Sequence, residues 1–184
     1  MDLKARIEEF VPYNEQEKKD KSFMLEFMEK NEDYLTRNNR VAHFTASNWI
    51  VNHDRTKVLM IYHNIYQSWA WTGGHADGDE DLMHVARKEA EEESGLANLK
   101  SLCDGVFSLE VLTVNGHVKR GEYVSSHLHL NCTFLFEADD SVELKIKEDE
   151  NSGVQWVNIE EAVKITNELH MVPIYQKLNE KLKK

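Results

Sequence analysis

The segment that most restricts the fold is residues 74–96, GHADGDEDLMHVARKEAEEESGL, preceded by a second glycine, Gly73. A polar turn follows the Gly73-Gly74 pair, and residues 81–94 then carry the period of a helix. Gly95 with Leu96 behind it reads as the stop, because glycine takes the left-handed conformation at C′ without a Cβ penalty. At ~100° per residue, Leu82, Val85, Ala86 and Ala90 form an apolar stripe that must be covered by a sheet. Met83, His84, Arg87, Glu91 and Ser94 fall on the opposite side, toward water. Glu89, Glu92 and Glu93 do not join them and lie on an arc that overlaps the apolar stripe.

Carboxylates at positions i, i+3 and i+4 on a core-facing arc repel one another, and burying them costs free energy unless something offsets their charge. A hard divalent cation with oxygen ligands, Mg²⁺ or Mn²⁺, is the natural occupant. The alternative is an acidic surface run at Glu91, Glu92 and Glu93. That reading leaves both the inward arc and the Gly-Gly turn unexplained.

The flanks read as one mixed α/β domain behind an N-terminal helical extension (residues 1–38, then 39–184). Asp2 can cap a short helix through Phe10, and Asn14 a second one in which Phe23, Met24, Phe27 and Met28 recur at helical spacing. Residues 43–51 and 57–63 are strand-like around a turn at 52–55, which predicts a hairpin. Further strands are expected at 68–71, 106–114, 124–136 and 154–157, with a weaker alternation at 142–146 inside a polar stretch. Helices at 160–165 and 173–183 close the chain, with Pro173 suited to a first turn.

Composition removes some function classes. The 33 acidic and 22 basic residues give a formal charge of -11, so electrostatic binding of a nucleic-acid polymer is not expected. A small phosphorylated substrate, neutralised by bound cations, is compatible with that charge. No apolar run approaches the ~20 residues of a membrane span, and no apolar stretch follows the N-terminus, so a cytoplasmic protein is expected. Cys103 and Cys132 form no metal-type or redox-type pair and read as inert reduced thiols.

Residues 74–96 resemble the Nudix box: a glycine, five residues, a glutamate, seven residues, Arg-Glu, an aliphatic residue, any residue, Glu-Glu, any residue, a glycine and an aliphatic residue. Gly74, Glu80, Glu89, Ala90, Glu92, Glu93, Gly95 and Leu96 stand at the required spacing, and Lys88 replaces the arginine. The resemblance implies an α/β/α sandwich with a mixed central sheet and cleavage of a diphosphate linkage. It also implies that Glu89, Glu92 and Glu93 bind Mg²⁺ or Mn²⁺ while Glu80 and Lys88 brace the helix. Lysine offers a point charge where arginine offers a fork, so a less rigid brace is expected.

Family members often supply a further glutamate from a loop before the last strand. Glu150 is the first choice here, Glu148 the second, and Glu89 the other candidate base. His127 and His129 share one strand face with Asn131 and Thr133, either as the floor of a ligand cleft or as hydrogen-bonded histidines under a loop. His75, after Gly73 and Gly74, is a similar case and a candidate phosphate contact. Trp69 and Trp71 have core packing as the commoner role and base stacking as the alternative.

Substrate is not legible from these positions. The downstream proline of ADP-ribose pyrophosphatases is absent, since the prolines are Pro12 and Pro173. The tyrosine of dinucleoside polyphosphate hydrolases and the Ser-Gln-Pro-Trp run of NADH pyrophosphatases are absent too. Two rivals stay open: a non-catalytic nucleotide-sensing regulator on the same fold, and an isopentenyl-diphosphate isomerase, which would need a catalytic cysteine. The N-terminal helices have two possible roles, packing on a second subunit in a homodimer or covering the cleft.

Overall fold

The computed structural model describes residues 2–119 and 121–183. Met1 and Lys184, the outermost residues of the two expected segments, lie outside them. Two short helices come first, α1 (Leu3–Glu9) and α2 (Glu15–Lys30), capped by the Asp2 and Asn14 side chains as their sequence positions suggest. Strands β1 (Ala42–Val51) and β2 (Lys57–His63) form the expected antiparallel hairpin, followed by β3 (Ser68–Ala70) and β4 (Thr72–His75). Helix α3 (Leu82–Ser94) comes next, then β5 (Lys100–Ser101), β6 (Ser108–Val114) and the small hairpin of β7 (His117–Lys119) with β8 (Glu122–Val124). The chain closes with β9 (His127–Glu137), β10 (Asn151–Asn158), α4 (Ile159–Ile165) and α5 (Val172–Lys181), with Pro173 in the first turn of α5.

One eight-stranded sheet runs in the order β10-β2-β1-β9-β5, with β3 on β2, β4 on β1 and β6 on β9. It is mixed, because β1 and β9 pair in parallel and their other partners are antiparallel. Both central strands are covered on both faces, which is why β1 is buried along its whole length. Ala42, Phe44, Ala46 and Ile50 alternate onto one face with Leu130, Cys132, Phe134 and Phe136, beneath α1, α2 and α3. Trp49, Val51, Met60 and Leu135 pack on the other face against Ala162 of α4 and Tyr175 and Leu178 of α5. The expected α/β/α sandwich with a mixed sheet is therefore the architecture observed.

The N-terminal helices are built into that core. Leu3, Ile7, Met24 and Met28 join the same apolar cluster as Phe44 and Leu130. At the start of α2, the Glu17 carboxylate is 2.7 Å from Lys181 and 3.3 Å from Lys177, and Lys177 is 2.9 Å from Glu110 of β6. Burial alone would raise the Glu17 carboxyl, but bonds from Lys181, the Tyr13 amide and Ser108 outweigh it and hold the group below its ordinary value.

The alternation at residues 142–146 does not become a strand; Val142 and Ile146 are exposed, and the segment finds no ladder partner among the described residues. Both tryptophans pack against the second core, with Trp69 edge-on to Tyr62 and Trp71 edge-on to Tyr175. Cys132 lies in the first core and Cys103 packs partly buried against the second.

Removing one member of a buried ion network strands its partners. Lys177→Met is therefore expected to cost about 3–5 kcal/mol, read as a lower urea midpoint with little change in slope. An unchanged midpoint would show that this network does not hold α2 and α5 to the sheet.

Candidate active site

The site forms where α3 docks on the end of β4. Asp81 caps the helix, its carboxylate accepting the His84 amide, and Asp79 accepts the Asp81 amide at 2.8 Å and meets the His84 ring at 2.9 Å. The His84 bond is the chief reason the Asp79 carboxyl sits below its ordinary value. Asp79 thus holds the helix start. Glu80 is exposed and makes no ion pair with Lys88 among the described residues. At the other end Gly95 has φ 72°, the left-handed stop expected of it, and its amide reaches the Glu91 carbonyl.

Gly74 permits the close approach of helix to strand, and Gly73 the close approach of β4 to β1. A Cβ on Gly74 would stand 2.5 Å from the Glu89 carboxyl carbon, and one on Gly73 would stand 2.5 Å from the Ala46 carbonyl. With no side chains there, the Gly73 amide donates to Glu93 at 2.9 Å. Glu93 is 1% exposed, and burial pushes its carboxyl well above the ordinary value of 4.5. The Gly73 amide opposes that rise, while the charges of Glu150 and Glu89 add to it. Burial likewise pushes Glu89 up, helped by Glu150 and Glu92 and opposed by Lys147.

Glu92 sits at the exposed edge of the arc and not inward, a correction to the helical wheel. Its carboxylate is 2.9 Å from Lys147 and 3.7 Å from Lys88, and the Lys147 bond is the first cause that holds it below its ordinary value. Ser94, placed toward water by the same wheel, is fully buried. Its hydroxyl bonds the Ala90 carbonyl, and its own carbonyl accepts the Lys145 amide at 2.8 Å, so the segment before β10 folds over the end of the helix.

That segment delivers the remaining charges. The buried Asn151 side chain donates to the Glu93 carbonyl at 2.9 Å and accepts the Lys147 amide. Lys147 then bridges Glu92 and Glu150, 3.1 Å from the latter. Burial would lower the Lys147 ammonium, but its bonds to Glu92 and Glu150 outweigh that and hold it well above its ordinary value. Glu150 is therefore beside the glutamates of α3, whereas Glu148 is exposed and joins none of these contacts. Lys147 and Asn151 were not singled out from sequence; only their proximity in the fold reveals them.

Hard oxygen donors with surplus negative charge suit a divalent cation. The upward shifts of Glu89 and Glu93 and the bridging by Lys147 are the observations that bear on the fit, and they favour it. The carboxylates are splayed, Glu92 outward to Lys147 and Glu93 inward to Gly73. Among the described residues, the three side chains with ligand atoms all within 4.8 Å of one another are His43, His75 and His129. His127 lies beside this group, its Nε2 3.2 Å from that of His129. Asn131 and Thr133, on the same strand face, are instead held by Glu110 at 3.0 and 2.7 Å.

The NUDIX domain family model matches residues 42–178, more than half of the chain. The RNA pyrophosphohydrolase of Pelagibacter ubique is 25% identical over 118 residues, covering 62% of this chain and 74% of that protein. Among solved structures, a Clostridium perfringens hydrolase of the NUDIX family is 22% identical with a TM-score of 0.54, over 76% of this chain and 97% of that one. A binary complex of the Caenorhabditis elegans Ap4A hydrolase has the same TM-score, 0.54, at 18% identity, over 76% of this chain and 98% of that one. The Escherichia coli dihydroneopterin triphosphate pyrophosphohydrolase follows at 0.53 and 15% identity, over 73% and 92%. At these identities the structures speak to the fold alone. With the family model spanning the sheet, the α3 glutamates and the α5 helix, the chain belongs to the NUDIX domain family, as a pyrophosphohydrolase acting on pyrophosphate bonds of nucleotide-like substrates.

Proposed function

We propose that the chain hydrolyses its diphosphate with Mg²⁺ or Mn²⁺ held by Glu89, Glu92 and Glu93. The observation that carries this reading is the crowding of Glu89, Glu92, Glu93 and Glu150 around Lys147 beside the Gly73-Gly74 turn. A bound divalent ion supplies charge that polarises a phosphoryl oxygen and acidifies the attacking water. Glu150 is the proposed base: it is half-buried, next to the helix glutamates, and fixed by a backbone carbonyl bonded to the Asn64 amide. Glu89 is the second candidate for that proton. Lys88 and Glu80 are proposed to steady the helix, Lys88 through Glu92. Gly73 and Gly74 border the carboxylates and are the proposed contacts for the phosphate chain, whereas His75 turns to the other face of the sheet, among His43 and His129.

The acidic chain favours a small nucleotide conjugate over an RNA polymer, although the Pelagibacter relative is named for RNA. The isomerase alternative needs a reactive thiol, and burial raises both Cys103 and Cys132 above the ordinary thiol range.

A panel of dinucleoside polyphosphates, nucleoside triphosphates and nucleotide sugars, assayed with Mg²⁺ or Mn²⁺, tests the reading. Turnover should vanish with EDTA and in Glu92→Gln and Glu93→Gln, and fall by about 10²–10⁴ in Glu150→Gln. Undiminished turnover in both helix variants would sink the cation site, and tight binding without turnover would support a regulator instead. The raised Glu93 carboxyl adds a prediction about pH. A carboxyl raised in the fold contributes stability below its ordinary value of 4.5, and that contribution is lost as pH rises through the raised value. In EDTA at about pH 8, Glu93→Gln should therefore melt at least about 2–4 °C above the parent chain, as ~1 kcal/mol gives at this size. The gap should close as pH falls toward the ordinary carboxylate range. A gap that stays constant with pH would contradict a buried, ionised Glu93.

A further inference from the structure

We propose that His43, His75, His127 and His129 form a second, nitrogen-only metal site for a borderline transition-metal ion such as Zn²⁺, which pins β1, β4 and β9 together.

The sheet register assembles these rings. β1 and β9 pair in parallel with His43 beside His129, and His127 lies two residues earlier on the same face. β4 runs antiparallel to β1 with His75 opposite Thr45, which shares that face with His43. One ring nitrogen each of His43, His75 and His129 comes within 4.8 Å of the others. Ring centroids are 5.2 Å apart for His43 and His75, 5.0 Å for His43 and His127, and 5.1 Å for His43 and His129. They are 4.9 Å apart for His75 and His129 and 5.0 Å for His127 and His129. Imidazoles bound tetrahedrally through bonds of ~2.0–2.1 Å would have centroids about 5.2 Å apart and nitrogens about 3.3 Å apart. The Nε2 atoms of His127 and His129 are 3.2 Å apart.

For His43 and His127 the outer hydrogen bonds already set the tautomer a metal needs. His43 Nδ1 lies 3.0 Å from the Asn39 carbonyl and His127 Nδ1 lies 2.8 Å from the Ser125 carbonyl. A carbonyl only accepts, so each Nδ1 carries the proton and each Nε2 presents a lone pair. His43 is 4% exposed, and its Nε2 is buried with no hydrogen-bond partner among the described residues. A buried acceptor left unpaired is costly, and an ion among the rings removes that cost.

An all-imidazole donor set with no carboxylate prefers Zn²⁺, Co²⁺, Ni²⁺ or Cu²⁺ to Mg²⁺ or Mn²⁺. His43, His75 and His129 supply three ligands, and His127, beside His129 but outside the group whose ligand atoms all lie within 4.8 Å, would turn in as the fourth and close the coordination sphere, the mark of a structural site. The chain would thus sort two kinds of ion by donor type on either side of the step from Gly74 to His75. Gly74 turns its Cβ position to Glu89, and His75 turns to the other face.

The test uses the full, untagged chain stripped of metal and then titrated with Zn²⁺ or Co²⁺ in the presence of excess Mg²⁺. One equivalent of Zn²⁺ should bind and raise the melting temperature, and Co²⁺ should give the intense visible bands of a tetrahedral complex. His129→Ala and the more accessible His127→Gln should each weaken Zn²⁺ by at least about tenfold, with circular dichroism confirming the fold. Glu92→Gln and Glu93→Gln should leave it unchanged, so the outcome is independent of the hydrolytic reading. No binding, or Zn²⁺ lost in the glutamate variants and kept in the histidine ones, would overturn the proposal.

Discussion

The Glu93 carboxylate, 1% exposed, accepts the amide of the partly buried Gly73 at 2.9 Å. That bond goes with a helix lying so close to the strand that any side chain at Gly74 would collide with Glu89, while one at Gly73 would collide with the neighbouring strand at Ala46 and Ser47. Once the helix is seated there, Glu89 has to stand against Gly74, and the charges of Glu89, Glu93 and Glu150 have to share a small volume. The upward shifts of Glu89 and Glu93 are the direct consequence, and so is the capture of Lys147. A single close contact therefore sets both the packing of α3 and the electrostatic demand for a cation.

The two faces of the sheet meet different needs. Beneath α3 the strands supply aliphatic and aromatic residues, so the helix glutamates have the core on one side and the 147–151 segment on the other. On the opposite face β1 and β9 present a polar row that runs from the histidine cluster through Thr45, Ser47 and Asn131 to Glu110 and Lys177. From Thr45 to Lys177 each step of that row is hydrogen-bonded, which is how a central strand carries polar side chains without a large penalty. The helical extension enters the same network through Glu17, and its apolar side packs into the first core.

What was legible in the sequence was local. The caps at Asp2 and Asn14 and the stop at Gly95 follow from chemistry within a few residues, and each stands where the pattern places it. The mixed α/β architecture followed from the alternation of strand-like and helical periods. The wheel placed Glu89 and Glu93 well because their neighbours in space are the strand the apolar stripe must cover. It misplaced Ser94 and Glu92 because their surroundings come from Lys145 and Lys147, far along the chain. His43 went unremarked for a related reason. Its alternation with Thr45 and Ser47 is visible, but its partnership with His129 depends on a parallel register that no short-range pattern encodes.

Manganese can report on the central claim directly, because its anomalous scattering locates it in a crystal of this chain. The account predicts a manganese peak among the carboxylates of Glu89, Glu92 and Glu93, with the Lys147 ammonium drawn away from Glu92. A peak confined to the histidine cluster, or a carboxylate cluster still bridged by Lys147 at saturating manganese, would contradict it.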